Sequence, residues 1–156
     1  MQGLSHVVTV IALLGSGALI GASLYDAVVL APNLRGGPSG LEHGRLFLVA
    51  ATPANLFRVL APATQILVAL SAALNWSNHP ARWTLIGSLI ALILTDAITF
   101  GYHYPRNRQL FTAPLTIAPE QLEKVARQWA SANWLRVALV LAAWLGTLTA
   151  LMQPSA

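Results

Sequence analysis

The chain has 156 residues, of which 56% are hydrophobic and 9% charged, and its mean hydropathy is +0.62. These values exclude an ordinary water-soluble domain and predict a single integral membrane domain over residues 1–156. The net charge of +4 does not indicate a nucleic-acid-binding protein, because the basic residues are scattered between apolar segments and not massed with stacking aromatic side chains. The absence of cysteine excludes disulfide bonds and cysteine-based metal, haem or nucleophile chemistry.

Four apolar segments are long enough to cross a bilayer, which takes about 20 residues each. They predict an all-α protein, a transmembrane four-helix up-down bundle embedded in the lipid bilayer. The first helix is expected at residues 5–30, where Gly, Ala and Ser allow close helix packing. A cleavable signal peptide is the alternative, but no Lys or Arg precedes this segment and it is too long. The Pro- and Gly-rich segment 31–45 is expected to be a loop.

The second helical region is expected at residues 46–74 and contains two prolines. Pro53 and Pro62 leave two alternatives open, a short surface helix followed by a spanning helix, or one kinked helix.

The third helix is expected at residues 83–104, with Pro105 as its terminator. A polar segment follows, in which Pro119 is the expected start of a short helix that leads into the next span. The fourth helix is expected at residues 130–152.

The distribution of Arg and Lys predicts the orientation, since basic loop residues are retained on the cytoplasmic side. The opposite end carries only Arg82, whereas the end with the first and third loops carries Arg35, Arg45, Arg106, Arg108, Lys124 and Arg127. We therefore expect these two loops in the cytoplasm and both termini on the other side, in a bacterial inner membrane if the source is bacterial.

Four Asp and Arg residues fall within the predicted spans, where a charge costs about 2.5–3.5 kcal/mol on insertion scales and so has a partner or a task. They are Asp26, Arg58, Asp96 and Arg136. Because the helices alternate in direction, all four are expected in the cytoplasmic half, together with the polar and aromatic residues Tyr25, Asn55, Thr99, Tyr102, His103, Tyr104, Asn107, Trp129 and Asn133. The opposite half is expected to contain almost only Leu, Ala, Ile, Val and Gly.

On the third helix, Asp96, Thr99 and His103 share one face at spacings of three and four residues. This row is compatible with a proton path from the cytoplasmic surface. It is equally compatible with a structural role, in which Asp96 pairs with Arg136 or Arg58 and His103 contacts water at the interface.

On the fourth helix, Trp129, Asn133 and Arg136 share a face. Trp129 fits an interfacial anchor or a ligand contact, whereas Asn133 and Arg136 are expected to point inward at the depth of Asp96. Trp134 lies off this face and is expected at the lipid interface, as are Trp76 and Trp83 at the other end.

Metal ligands are restricted to two histidines and three carboxylates, with no two histidines at helical ligand spacing: His43, His103, Asp26, Asp96 and Glu42. His6 and His79 belong to the opposite end, which argues against bis-histidine haem. No metal and no other cofactor is predicted.

The segment 104–110, with sequence YPRNRQL, resembles an element of the anthrone oxygenase-like family when it is taken with the fourth-helix residues. In these small four-helix membrane proteins, many of them bacterial, a Pro-x-Asn-x-x-Leu element follows the third helix, and Trp, Asn and Arg enter the fourth. The matching positions are Pro105, Asn107, Leu110, Trp129, Asn133 and Arg136. Family members frequently carry His directly after that Asn, where this chain has Trp134.

The resemblance implies a cofactor-independent oxygenase that uses molecular oxygen on a lipophilic polycyclic phenol such as an anthrone. A base and an enolate-stabilising cation would suffice for this chemistry. The expected catalytic residues are His103 or Asp96 as the base and Arg136 as the cation. The rings are expected to be positioned by Tyr102, Tyr104, Trp129 and Asn133, and the wider substrate-binding set adds Tyr25, Asp26, Asn55, Arg58, Thr99 and Asn107.

Two other functions stay open from the sequence. A carrier would hold a lipophilic or anionic molecule in a cavity without changing it. A structural subunit of a membrane complex would lack a cavity and would close Asp96 on Arg136. Assembly into a homo-oligomer or with a membrane-complex partner also stays open.

Overall fold

The computed structural model describes residues 2–35, 37–48, 52–112 and 118–154, which are almost entirely helical and include no β-strand. We number the five helices α1 (Gly3–Leu34), α2 (Gly37–Phe47), α3 (Pro53–Leu74), α4 (His79–Phe111) and α5 (Pro119–Leu151). All but α2 are long and apolar enough to cross a membrane. The protein is thus the predicted all-α four-helix membrane bundle.

The four long helices form a ring in which each packs against the next: α1 against α3 and α5, and α4 against the same two helices. The turn at residues 75–78 joins α3 to α4, and the Asn78 side chain caps α4 by accepting a hydrogen bond from the Ala81 backbone N–H at 3.3 Å. Consecutive spanning helices therefore run antiparallel. We call the end where α1 and α4 finish the basic end, since it carries Arg35, Arg106, Arg108, Lys124 and Arg127.

The spanning helices present their large apolar side chains outward as well as inward. Exposed examples occur on every one of them, among them Leu14, Ile66, Ile90 and Leu145. In water such a surface would be unfavourable, whereas in a bilayer it contacts lipid tails and costs nothing. Trp76, Trp83 and Trp134 are also exposed, in keeping with their predicted place at the lipid interface.

The region around the first connection is more helical than predicted. Residues 31–34 continue α1 and Gly37–Phe47 form α2, so most of the expected loop 31–45 is helix. In the next region only Leu46 and Phe47 belong to α2, and α3 begins at Pro53, seven residues after the predicted start of the second helical region. Thr52 and Asn55 form a capping box at the start of α3, which continues through Pro62.

Two helices also extend beyond their predicted ends at the basic end. The third helix does not stop at Pro105, because Pro105 lies in the first turn of a new α-helical segment, Tyr104–Asn107, where its missing N–H is tolerated. Pro119 begins α5 itself and not a separate short helix, so this helix starts 11 residues before the predicted residue 130.

Wider π-helical turns interrupt α1 and α4 close to this end. They cover Asp26–Leu30 in α1, and Thr99–His103 and Arg108–Thr112 in α4. Such turns occur mostly at functional sites. Here they contain two of the buried polar residues, Asp26 and His103.

The interior is divided into two apolar clusters along the bundle axis. The cluster in the half away from the basic end includes Leu19, Val68, Leu85, Leu92 and Val140. The cluster at the basic end brings together the ends of α1 and α4 and the first turns of α5: Leu30, Ala31, Leu34, Leu110, Leu122, Val125, Ala126, Trp129 and Ala130. The polar residues of interest lie between the two.

The half away from the basic end is more polar than predicted. Its buried hydroxyls include the pair Thr9 and Ser71, whose oxygens lie 2.5 Å apart and join α1 to α3. Thr147 of α5 donates to a carbonyl of its own helix, which satisfies the hydroxyl without a cross-helix partner. Small residues also bring helices close, since a Cβ on Gly146 would collide with Ser88.

Candidate functional site

A cavity of about 410 Å³ lies between α3 and α4, with α1 and α5 behind it. Its size is typical of small-molecule sites, which span about 300–1,000 Å³. Its apolar wall comes from all four spanning helices and includes Leu19, Leu30, Phe57, Ala61, Leu92, Phe100, Trp129 and Val140. The lining residues Arg58, Pro62 and Phe100 are exposed, which shows that the cavity reaches the outer surface between α3 and α4.

Arg136 is the buried cation of this cavity, with a side chain only 5% exposed. Its Nη1 atom lies 3.9 Å from Asp26 Oδ2 and donates a hydrogen bond to Asn133 Oδ1 at 3.2 Å. Its guanidinium carbon lies 4.5 Å from the ring centre of Phe57. In the described part of the chain, Arg136 Nε and Asp26 Oδ1 have no hydrogen-bond partner. Arg136 therefore has a buried N–H donor without a hydrogen-bond partner among the described residues.

Asp96 does not form the ion pair with Arg136 or Arg58 that the structural alternative required. Its Oδ2 atom accepts a hydrogen bond of 2.7 Å from Gln65 Nε2 on α3. The two charges of Asp96 and Arg136 still interact electrostatically, but across more than ion-pair distance. Gln65 was missed from the sequence, although an amide in the middle of an otherwise apolar span is itself an unusual residue that needs a partner.

His103 is 1% exposed, so the prediction that it contacts water at the interface is wrong. Its ring packs edge to face on Trp129, with ring centres 5.5 Å apart. Neither ring nitrogen has a hydrogen bond of good geometry among the described residues, although the backbone of Ala132 lies close. A buried imidazole with unused nitrogens is rare, and here it lines the cavity.

The row Asp96, Thr99 and His103 lines the cavity together, as their spacing predicts. The row is not a continuous hydrogen-bonded chain, because the Thr99 hydroxyl donates to the Thr95 carbonyl at 2.9 Å. Any proton passing between Asp96 and His103 would have to use groups that occupy the cavity.

The second row, Trp129, Asn133 and Arg136, is buried along one face of α5, again as the spacing predicts. Trp129 Nε1 donates to Asn107 Oδ1 at 2.7 Å and so fastens α5 to α4. Trp129 is therefore a buried wall residue and not a lipid anchor.

Of the ten residues predicted to bind substrate, some line the cavity and others do not. Those in its wall are Asp26, Arg58, Thr99, Tyr104, Asn107 and Trp129, together with the predicted catalytic residues Asp96, His103 and Arg136. Tyr25, Asn55, Tyr102 and Asn133 lie outside it. The catalytic and binding roles themselves stay predictions.

The four residues outside the cavity have other contacts or orientations. Tyr25 is exposed on the outer face of α1, and Asn55 is used in the cap of α3. Tyr102 packs under the Arg106 guanidinium, whose carbon lies 3.4 Å from the ring centre. Asn133 is fully buried and does not line the cavity, but its Oδ1 accepts a hydrogen bond from the lining residue Arg136.

No three His, Asp or Glu side chains come together as a metal site within residues 2–35, 37–48, 52–112 and 118–154. No family model matches the chain, and no curated protein and no solved structure matches it.

Proposed function

We propose that this membrane protein binds a flat, lipophilic, weakly acidic molecule in the cavity between α3 and α4 and acts on it as a cofactor-independent oxygenase. The observation that carries the proposal is a cavity of about 410 Å³ whose wall contains His103, with unused ring nitrogens, and Arg136, with an unused N–H. A polycyclic phenol of the anthrone type is the substrate class that best fits such a wall.

The same features count against a purely structural subunit. A subunit that only fills space in a complex has no use for a cavity of this size, and its buried charges should be closed on each other. Here Asp26 and Arg136 are 3.9 Å apart, which is longer than a direct hydrogen bond, and each has an unpaired atom.

The chemistry needs only groups that the cavity supplies, with oxygen as the second substrate. His103 takes a proton from the CH₂ carbon of the anthrone, and Arg136 stabilises the resulting enolate oxygen. The enolate passes one electron to O₂, and the two radicals combine into a peroxide that accepts the proton. Loss of water then converts the CH₂ into a carbonyl, so that anthrone and O₂ give anthraquinone and H₂O.

The structure favours His103 over Asp96 as the base. An imidazole nitrogen is unused in the cavity wall, whereas one carboxylate oxygen of Asp96 already accepts a hydrogen bond from Gln65. Asp96 and Gln65 also line the cavity, where they suit a polar substituent of the substrate.

The family resemblance supports the proposal, because the residues that carry it contact each other at the cavity. Asn107 and Trp129 share a hydrogen bond, as do Asn133 and Arg136, and Leu110 is fully buried in the cluster beside them. Trp129 of this set also packs on His103. The motif residues would thus hold the wall of the cavity in place around the proposed base.

Oxygen uptake by the purified protein in lipid nanodiscs tests the proposal, with anthrone as substrate and product identified by mass spectrometry. We expect uptake above the rate of empty nanodiscs, and loss of that excess in His103→Gln. His43→Gln is the matched control, because His43 lies on α2, is exposed and bonds only to the Ser39 carbonyl. Equal rates in both variants would refute the role of His103.

A carrier is the second candidate, favoured by the absence of a hydrogen-bonded chain from His103 to the surface. A carrier would retain anthrone in nanodiscs without consuming oxygen, and His103→Gln would leave binding unchanged. Binding without turnover would thus move the assignment from oxygenase to carrier.

We further propose that the basic end faces the cytoplasm, in a bacterial inner membrane, because it holds most of the basic residues. The cysteine-free chain makes this simple to test in cells. We expect a membrane-impermeant thiol reagent to label Ser77→Cys, in the turn between α3 and α4, and to spare Lys124→Cys on α5. The reverse pattern would invert the orientation.

A further inference from the structure

The outer part of the cavity wall carries two guanidinium groups that have no acidic partner. Arg58 on α3 and Arg108 on α4 both line the cavity and both are exposed. Among the described residues, the only ion pairs are Arg127 with Glu123 and Arg136 with Asp26. Two cations at the mouth of one apolar cavity therefore lack a counter-charge from the residues that the structure describes.

The guanidinium of Arg58 is held in place by a neutral group. Its Nε donates to the Tyr104 hydroxyl at 3.3 Å, and its carbon lies 6.0 Å from the Tyr104 ring centre. This contact fixes the side chain across the gap between α3 and α4 but uses only one of its five N–H donors. The remaining donors are free for a planar anion such as a carboxylate, which guanidinium groups bind in a bidentate manner.

The positions of Arg58 and Arg108 along their helices determine the distance between the anionic group and the apolar body that a ligand of this cavity needs. At a rise of about 1.5 Å per residue, Arg108 lies roughly 7 Å from His103 along α4, and Arg58 lies roughly 10 Å from Gln65 along α3. Gln65, which bonds to Asp96, also lines the cavity. A charged group at the mouth and a ring system beside His103 are thus compatible with one molecule.

We infer that the ligand of this cavity is an amphiphile whose anionic group, a carboxylate or a phosphate, binds between Arg58 and Arg108 while its apolar body extends inward to His103. The inference rests on the proposed function and narrows its substrate class from lipophilic phenols to those that carry an acidic substituent. A bilayer lipid with an anionic headgroup offers the same chemistry, and the experiment below separates the two sources.

General attraction by the basic end is the competing explanation, because interfacial arginines also serve as topology signals. Arg35 provides the matched control. It is exposed at the same end, directly after α1, but does not line the cavity. Loss of its charge removes as much surface potential as the loss of either mouth arginine.

The test compares anthracene-2-carboxylate with the neutral 2-hydroxymethylanthracene, titrated into nanodiscs of phosphatidylcholine and followed by quenching of tryptophan fluorescence. Empty nanodiscs correct for partition into lipid. We expect the wild-type protein to bind the carboxylate at least about tenfold more tightly than the alcohol, and Arg58→Gln/Arg108→Gln to lose this preference. Arg35→Gln should retain it.

The neutral probe separates failure of this inference from failure of the proposed function. Binding of both probes with equal affinity, or an equal loss of preference in Arg35→Gln, overturns the inference and leaves the cavity as a site for neutral molecules. Binding of neither probe overturns the inference and the proposed function together.

The same titration in nanodiscs that contain phosphatidylglycerol identifies the source of the anion. If the headgroup of this lipid occupies the mouth, it competes with the carboxylate probe in the wild-type protein, and native mass spectrometry shows it retained there and lost from the double variant. If a free amphiphile is the ligand, carboxylate binding is unchanged by the lipid. Either result supports anion recognition by Arg58 and Arg108.

Discussion

The buried pair of Asp26 and Arg136 gives the sharpest test of how the interior is held together. Both side chains are at most 5% exposed, and they connect α1 to α5 behind the cavity. Asp26→Asn keeps the size of the side chain but removes its charge. Arg136 then stays buried with only the amide of Asn133 as a hydrogen-bond partner. We expect this single change to be among the most destabilising polar substitutions in the chain.

The expected loss in free energy of unfolding for Asp26→Asn can be obtained in two ways. Unit charges 3.9 Å apart attract each other by about 4 kcal/mol at an effective dielectric constant of 20. Removal of one partner of a buried ion pair typically costs about 3–5 kcal/mol, because the other charge is left uncompensated. Replacement of both charged residues, as in Asp26→Leu/Arg136→Met, should restore most of the lost free energy of unfolding. The remaining loss is the cost of leaving Asn133 Oδ1 without its donor.

Asp96→Asn is the matched control for Asp26→Asn, because it makes the same change at the other Asp in the cavity wall. The new amide oxygen can still accept the hydrogen bond from Gln65, so we expect a loss of only about 1 kcal/mol. Unfolding in mixed micelles by increasing fractions of sodium dodecyl sulfate, followed by circular dichroism, gives the free energies of unfolding of the wild type, Asp26→Asn, Asp96→Asn, the double variant and its single components Asp26→Leu and Arg136→Met. A coupling energy below about 1 kcal/mol between Asp26 and Arg136, or equal losses in Asp26→Asn and Asp96→Asn, would refute this account.

Three further predictions concern the cavity and the packing around it. Ala61→Trp, which fills the cavity from α3, should abolish binding of anthracene probes while thermal unfolding in nanodiscs stays within a few degrees of wild type. Gly146→Ala should lower the free energy of unfolding by about 1–3 kcal/mol because the new methyl group collides with α4, whereas Gly87→Ala, which meets no atom within 4 Å, should be neutral or stabilising in the same assay. Trp129→Phe should cost about 1–3 kcal/mol, since it leaves Asn107 without its donor, and Asn107→Leu in the same background should add little in a double-variant cycle.

Much of the architecture could be predicted because lipid imposes a simple rule. A spanning segment must satisfy its own backbone hydrogen bonds and be apolar for about 20 residues, which fixes four helices and their alternating directions. Alternation then places Asp26, Asp96, His103 and Arg136 in the same half of the bundle without any knowledge of contacts. All four line the same cavity.

The choice of partners could not be predicted, because it depends on the rotation of each helix about its axis. An arginine was the partner of Asp96 in the structural alternative, yet Asp96 faces Gln65 on the neighbouring helix, and Arg136 faces α1 instead. A difference of one residue in rotation, about 100°, decides between these outcomes. The first loop and the end of the third helix were misjudged because Pro38 and Pro105 were taken as helix breakers, whereas both lie in the first turns of helices.

The π-helical turn at Thr99–His103 has a consequence for how this site tolerates insertions and deletions. Such a turn holds one residue more than an α-helical path of the same length, so it accommodates an extra residue while the helix on either side keeps its rotational phase. Deletion of a single residue from it would therefore leave a regular helix that still spans the membrane with the same outer faces, but would change which side chain of the turn lies against the cavity. The span thus tolerates such a change better than the place of His103 in the cavity wall does.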